Sequence, residues 1–385
     1  MGDDLEMTTL KLQDDPVLTF DLSKGDFHVI KNEKLPMLLR DNIIDSEQDD
    51  SRKAFVHNYQ ALMDFFHNRS LSIERENAKQ ILNALHIPQS EDDDTVSKMM
   101  ILCKGLSASD DYWITNNPAE RWKDNNLRDN PLHEVLAQIS LYGDAPVTIT
   151  GRLRTPELTG QGAYAKAWFR ENHQLYLYKA STALGRESEI EAEVSRILDH
   201  TNVPHVHYDF EVKGIKRCSK CLDLCNEKVS MVSAYEVMKW CNRTGQDFDK
   251  FVRKQDPENF YKTIIADYLV SNNDRHSGNW GFYMDNQTGK LLGLHPIYDN
   301  NNAFAKQDME RISGGESLMM PGKSKKDAAK YAVKHCNFQI SRIPSDVFIS
   351  KEHEKSFKKR AEFLGLYKRS LMEKAKMALS IFFLA

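Results

Sequence analysis

The chain has 385 residues, with 41% hydrophobic and 28% charged side chains, 18 Gly and 12 Pro. This globular composition excludes collagen-like, coiled-coil and wholly disordered classes, and the length suits two or three domains. Its 52 basic and 56 acidic residues leave a formal net charge of -4, so no global positive field is available to hold nucleic acid or an anionic membrane.

The N-terminal MGDDLEMTTL has neither the basic start nor the apolar run of a secretory signal. No stretch approaches the roughly 18 apolar residues of a membrane helix. Six dispersed cysteines then read as reduced thiols, and a cytoplasmic protein is expected.

Residues 1–50 mix short apolar runs (Val17–Asp21, Phe27–Ile30, Leu35–Leu39) with charge and end in DSEQDDS, which reads as a loosely organised arm or small lead-in unit. From Arg52 to Leu85, Phe55, Tyr59, Leu62, Phe65 and Phe66, then Ile81, Leu82 and Leu85, recur near helical spacing and predict a helical pair. The acidic Ser90–Asp94 run reads as a loop and a cap for a helix starting near Thr95. Ser107–Pro131, dense in Asp, Asn and Trp, predicts an ordered irregular segment pinned by Tyr112, Trp113 and Trp122.

A short helix over Leu132–Tyr142 precedes a change to strands at Val147–Leu153, Ala165–Arg170 and Leu175–Ala180. A helix is predicted over Arg186–Leu198, then the apolar segment Val229–Met238. Helical periodicity returns after Cys241 through Phe248–Val252 and Phe260–Val270, with a tail over Glu352–Phe383. These shifts divide the chain into a mainly helical N-terminal region (1–144), a β-rich unit (145–241) and a helical unit (242–385).

The most informative stretch runs from Asp267 to Ala303. An apolar helix ending near Val270 leads into a polar loop with Asp274, Arg275, His276 and Asn279; two apolar runs joined by the turn Asp285–Gly289 follow, and then Asp299. Phosphoryl transfer needs such parts: a carboxylate to orient or accept the proton of an attacking hydroxyl, and an amide oxygen and a second carboxylate to hold Mg²⁺ on phosphates. An Asp and an Asn five apart also close ordinary polar turns. The ordered succession of helix, D-R-H-x-x-N, hairpin and Ile297–Asp299 is more than a turn requires.

This DRHSGN of Asp274–Asn279, followed by PIYDN of Pro296–Asn300, resembles the signature of HipA-like serine/threonine kinases and is similar to the D-R-H-x-x-N loop of phosphatidylinositol kinases. The resemblance covers about 145–385, with a looser likeness at Gly105–Ile114. It implies an α+β, bilobal protein-kinase-like fold with a β-rich N-lobe and a helical C-lobe. It also implies Asp274 as catalytic base, Asn279 and Asp299 as metal ligands, and His276 as a loop-orienting residue near the nucleotide. The chain departs from the common protein-kinase pattern in that the Arg and His follow the Asp, and there is no D-F-G.

Upstream, Gly160 and Gly162 in TPELTGQGAYAKAW would let backbone N–H groups approach phosphate. Lys179, ending the strand LYLYKA, resembles the kinase strand lysine, with Lys166 as its competitor. In the acidic helix, Glu187 and Glu191 share a face and either could pair with Lys179, while any single acid there also reads as a solvated surface residue. Val229–Met238 takes the hinge position, with Ser233, Tyr235 and Glu236 as candidates to meet adenine.

ATP and Mg²⁺ are the implied cofactors, and a protein Ser/Thr hydroxyl the implied acceptor. Family relatives often act as toxins, so an antitoxin or other regulatory protein is the implied partner; no membrane and no direct nucleic-acid binding is expected. A lipid kinase and a nucleotide-binding pseudokinase are the rival readings. Cys218, Cys221 and Cys225, with Cys241 or His205, could in principle hold zinc, but no second close pair is present and free thiols are expected.

Overall fold

The computed structural model describes residues 7–143, 148–151, 153–305 and 315–367. Residues 8–29 are not a loose arm. They form three strands, β1 (Thr8–Leu12), β2 (Asp15–Asp21) and β3 (Asp26–Val29), and a fourth, β4 (Tyr112–Thr115), lies within the segment expected to be irregular. The sheet order is β3-β2-β1-β4, all antiparallel, with Leu10 opposite both Leu18 and Ile114. Leu10, Leu12, Leu18, Phe20 and Phe27 are buried. On β1, Lys11 donates to the carbonyls of Pro118 and Glu120 and lies 5.2 Å from the Trp113 ring centre.

The expected helical pair is present as α1 (Arg52–Arg69) and α2 (Ala78–Ala84). Helix α3 (Asp93–Leu102) is capped by Asp92, whose carboxylate accepts from the Thr95 N–H, as the acidic run suggested. Helix α4 (Glu134–Tyr142) follows, and its Ala137 and Leu141 pack with Ala165, Ala167, Tyr178 and Cys218 of the next unit. No strand occurs at 148–151 or at Leu153, a correction to the expectation for Val147–Leu153; positions 147 and 152 lie outside the described residues.

The second unit is a four-stranded antiparallel sheet, order β5-β6-β8-β7, carrying one helix. Strands β5 (Lys166–Glu171) and β6 (Gln174–Ala180) are joined through Asn172 and His173, both at positive φ (49° and 65°), the handedness that matches the strand twist of a tight hairpin. Helix α5 (Glu187–Leu198) precedes β7 (Asp209–Lys213) and β8 (Lys216–Leu222). In the register, Lys166 faces Lys179 and Lys179 faces Ser219.

The third unit begins with β9 (Val229–Ser233), which turns at once into α6 (Ala234–Arg243), so the apolar Val229–Met238 is half strand and half helix. Helices α7 (Phe248–Gln255) and α8 (Pro257–Val270) follow, then the hairpin β10 (Gly281–Asp285) and β11 (Leu291–Leu294) in a sheet of order β11-β10-β9. Every residue of α8 from Phe260 to Val270 is buried, as befits a helix at the centre of a lobe. Helices α9 (Lys325–Ala332) and α10 (Lys351–Phe363) pack on it. The rest of the predicted tail, from 368, lies outside the described residues.

The N-terminal region braces both other units. Its core is continuous with Val232, Phe282 and Met284 of the β9–β10 sheet and with α8. Arg243 donates to the carbonyls of Met37 and Arg40, and Trp240 to Asp41. The cysteines do not converge: Cys218 packs with Tyr178 while Cys221 packs with Val206 and Tyr208. Among the described residues no three His, Cys, Asp or Glu side chains are grouped to hold a metal.

Candidate phosphotransfer site

Helix α8 stops where Ser271 enters the left-handed region (φ 56°), and the chain turns into the polar loop. Arg275, 2% exposed, organises that loop. Its guanidinium donates to both carboxylate oxygens of Asp267 on α8, to the carbonyls of Asn279 (2.8 Å) and Tyr298 (2.6 Å), and to Asn300 Oδ1 (2.6 Å). Burial works against its charge, and Asp267 restores it, raising the guanidinium above its ordinary value. One side chain thus fixes the helix end, the loop end and the strand exit to one another.

Within this frame Asp274 stands at the surface of the cleft, its side chain 43% exposed. Its Oδ2 accepts from Asn302 (2.8 Å), and its N–H donates to Asn272 Oδ1 (3.1 Å). Asn279 is buried; its amide Nδ2 donates to the Asp274 carbonyl (2.8 Å). Among the described residues no donor reaches Asn279 Oδ1. The His276 Nδ1 accepts from the Gly278 N–H (3.0 Å), and its Nε2 is 4.0 Å from Asp274 Oδ1. His276 therefore shapes the loop turn.

Asp299 adopts φ 57°, the left-handed conformation uncommon for a residue with a Cβ. It is positioned by Ile297, which exchanges main-chain hydrogen bonds with Pro204 and Val206 after α5. Its Oδ1 accepts from Lys179 Nζ, and the same ammonium donates to Glu191 Oε1 at 3.2 Å. Glu191 is fully buried and also accepts from Ser219 Oγ on β8 (2.6 Å).

Burial alone would lower the Lys179 ammonium; Asp299 and Glu191 outweigh it and raise it above its ordinary value. Burial would likewise raise Asp299, and Lys179 holds it below the usual carboxylate range. Glu191, deepest of the three, is raised by burial despite Lys179.

The acid that pairs with Lys179 is thus Glu191. Glu187 instead accepts from Thr182 Oγ1 (2.8 Å) and covers Gly185, where an added Cβ would meet its carboxylate at 1.9 Å.

The segment 155–164 runs close to Lys179, with Gly162 at φ +101° and the Tyr164 ring 5.8 Å from Lys179 Nζ. The N-terminal region holds this loop along its length. Leu71 N–H donates to Leu158 O, Glu76 N–H to Ala163 O, and the Gln161 amide to the carbonyls of His67 and Ser70. Beneath Gly160 lies Arg75, buried against Glu157 (3.3 Å) and Ser140.

Ser233, Tyr235 and Glu236 do not form a free strand edge. Ser233 caps α6 in a reciprocal box with Glu236 (3.2 and 3.0 Å), and Tyr235 N–H donates to Ser277 O. On the outer edge of β9 the Met231 and Val229 N–H groups are taken by the carbonyls of Ser109 and Asn226. The chain passes from β8 to β9 through 223–228, where Leu224, like Leu177 and Tyr298, packs against the cluster of Val206, Tyr208 and Cys221.

The oxygen donors present, one amide and one ionised carboxylate, suit a hard cation that completes its shell with phosphate oxygens and water. Asn279 and Asp299 are the residues that could hold Mg²⁺. Arg275 and Arg75 were missed as buried structural centres; a lone Arg in a polar loop carries no local mark of burial.

No family model matches the chain, and no curated protein matches it. Among solved structures, a chain of the Shewanella oneidensis MR-1 toxin–antitoxin complex of HipA, HipB and operator DNA is similar over 93% of this chain and 97% of its own, at 12% identity and a TM-score of 0.50. The fold is bilobal and kinase-like. The Helicobacter pylori proinflammatory kinase CtkA is similar over 52% of this chain and 92% of its own, at 15% identity and a TM-score of 0.40. In that fold the β5–β8 sheet with α5 takes the place of the β-rich N-lobe, and β9 and α6, expected in the β-rich unit (145–241), group instead with the helical C-lobe through the β9–β10 pairing. No helix among the described residues is long and apolar enough to cross a membrane.

Proposed function

We propose that the protein is an ATP-dependent phosphotransferase that moves the γ-phosphate of Mg-ATP to a serine or threonine hydroxyl of a protein. The observation that carries this reading is Lys179 held between Glu191 of the N-lobe helix and Asp299 of the C-lobe. A lysine locked to both lobes is poised to fix phosphates in the cleft between them. Asp274, the exposed carboxylate of the loop, would accept the proton of the attacking hydroxyl. Asn279 and Asp299 would hold Mg²⁺, which when bound neutralises charge on the phosphates. The adenine would lie against Leu177, Leu224 and Tyr298 beside 223–228. A regulatory protein partner is proposed by analogy with the toxin–antitoxin complex of the structural neighbour.

Transfer of labelled γ-phosphate from ATP to the protein itself and to lysate proteins tests this. Incorporation on Ser or Thr that EDTA abolishes is the expected result. Label on phosphoinositide vesicles instead would favour a lipid kinase, Mg-ATP binding without transfer a pseudokinase, and no nucleotide binding would sink the reading.

The two acids of α5 should separate in the same assay. Glu191→Gln removes a counter-ion of Lys179 and should lower transfer by about a hundredfold, the scale of a misplaced phosphate contact. Glu187→Gln, which leaves Lys179 untouched, should stay close to wild type. Equal losses would mean that α5 matters only for folding.

A further inference from the structure

Glu193 of α5 has no place in the ion pairs around Lys179, yet it is fully buried. Residues two apart on a helix point to nearly opposite sides, so with Glu191 turned to Lys179, Glu193 faces away from it. Its Oε1 accepts from the Ile349 N–H (2.9 Å), and its Oε2 meets Nδ1 of His353, in the first turn of α10, at 2.7 Å. A carboxylate can only accept, so this contact places a proton on Nδ1. The same imidazole stacks on Phe304, with ring centres 4.4 Å apart and planes at 12°. Phe304 is itself a fixed wall: it is buried, adopts φ 54°, and donates its N–H to the Val270 carbonyl at the end of α8 (2.9 Å).

Resting on the phosphotransfer reading above, we propose that His353 is a positioning residue for phosphoryl transfer: wedged between Glu193 and Phe304, it sets α5 against the C-lobe so that Glu191 reaches Lys179.

Helix α5 packs on β6, β7 and β8 of the N-lobe sheet, while both oxygens of Glu193 are held by C-lobe groups. A buried carboxylate bound in this way resists displacement, because any shift of the helix that lengthens either contact leaves charge unsatisfied away from water. The helix is thereby kept at one distance from the end of α8, and the Glu191 carboxylate arrives 3.2 Å from Lys179 Nζ. Asp299 lies on the same segment as Phe304, so the wall that bears His353 also carries the second carboxylate partner of Lys179.

A double-variant cycle with Glu191→Gln tests the assignment, using single-turnover transfer on the full chain. His353→Leu should lower transfer by about 10- to 100-fold, the scale of a misplaced catalytic contact. When Glu191 is already Gln, the same change should cost less than about threefold, because its route runs through that carboxylate. His353→Asn, whose amide nitrogen can take the place of Nδ1, should lose less than His353→Leu, and it serves the same cycle if the leucine variant does not fold. Hydrogen exchange on the nucleotide-free chain gives a readout independent of transfer: His353→Leu should lose protection of the α5 amides while the buried α8 keeps its own. Equal fold-losses in both backgrounds, wild-type transfer in His353→Leu, or protection lost alike from α5 and α8 would reduce His353 to a prop of the fold and overturn the proposal while leaving the kinase reading intact. Failure of the wild type to transfer phosphate would remove the phosphotransfer reading and this role with it.

Discussion

Asp274→Asn should cut γ-phosphate transfer by about 10²- to 10⁴-fold, the usual contribution of a positioned general base, and leave ATP affinity near the wild-type value. The geometry separates these two effects. Asp274 touches Asn302 and Asn272 and has no ion pair with Lys179, so removing its charge leaves the proposed phosphate-binding groups in place. Asp299→Asn should behave differently. Its carboxylate is both a Lys179 partner and a proposed Mg²⁺ ligand, so transfer and Mg²⁺-dependent ATP binding should fall together. Single-turnover transfer and equilibrium binding on the two variants distinguish the roles. An Asp274→Asn protein with more than about a tenth of wild-type transfer would remove Asp274 as the base.

The parts of this site that could be read from the sequence are those in which chemistry and local pattern coincide. Helix α8, the Asp274–Asn279 loop, the hairpin and Asp299 follow one another between Pro257 and Asp299, and each has a local signal: apolar periodicity, polar loop, paired apolar runs. The β5–β6 hairpin and the place of Lys179 at its end were legible for the same reason. The choice between Glu187 and Glu191 was not, because the i, i+4 rule places both on one face and the decision is made by Ser219 on β8.

The N-terminal sheet was missed because its strands are short and its closing strand β4 lies about a hundred residues from β1. The helix start at Ala234 was missed although its signal was present: Ser233 and Glu236 form the S-x-x-E pattern that starts a helix, and an apolar run continuing across it hid the boundary. What no local pattern conveys is burial of charge. Arg275 and Arg75 look like solvated arginines in the sequence, and each becomes a structural centre only when distant segments close around it.

Arg75 carries the second large expectation, on stability. Its guanidinium and the Glu157 carboxylate are each 1% exposed and 3.3 Å apart, and Glu157 Oε1 also accepts from Trp168 N–H (2.9 Å). Arg75→Met should destabilise the protein by about 3–5 kcal/mol, because it strands Glu157 as an uncompensated buried charge. The double variant Arg75→Met, Glu157→Leu should recover much of that loss, since replacing both partners removes the desolvation penalty as well as the attraction.

The pH dependence has a definite sign. Burial raises the Glu157 carboxyl even with Arg75 present, and without Arg75 it rises further. The folded single variant then binds more protons than its unfolded chain, so its stability rises as pH falls through that raised value. The deficit of Arg75→Met against wild type should therefore narrow in acid, whereas the double variant should show no such narrowing. Denaturant midpoints across pH measure it. Because Arg75 also lies beneath Gly160 of the 155–164 loop close to Lys179, the single variant should lose nucleotide affinity under conditions where it remains folded, and stability lost with full nucleotide affinity would show that the N-terminal region supports the fold without positioning the loop.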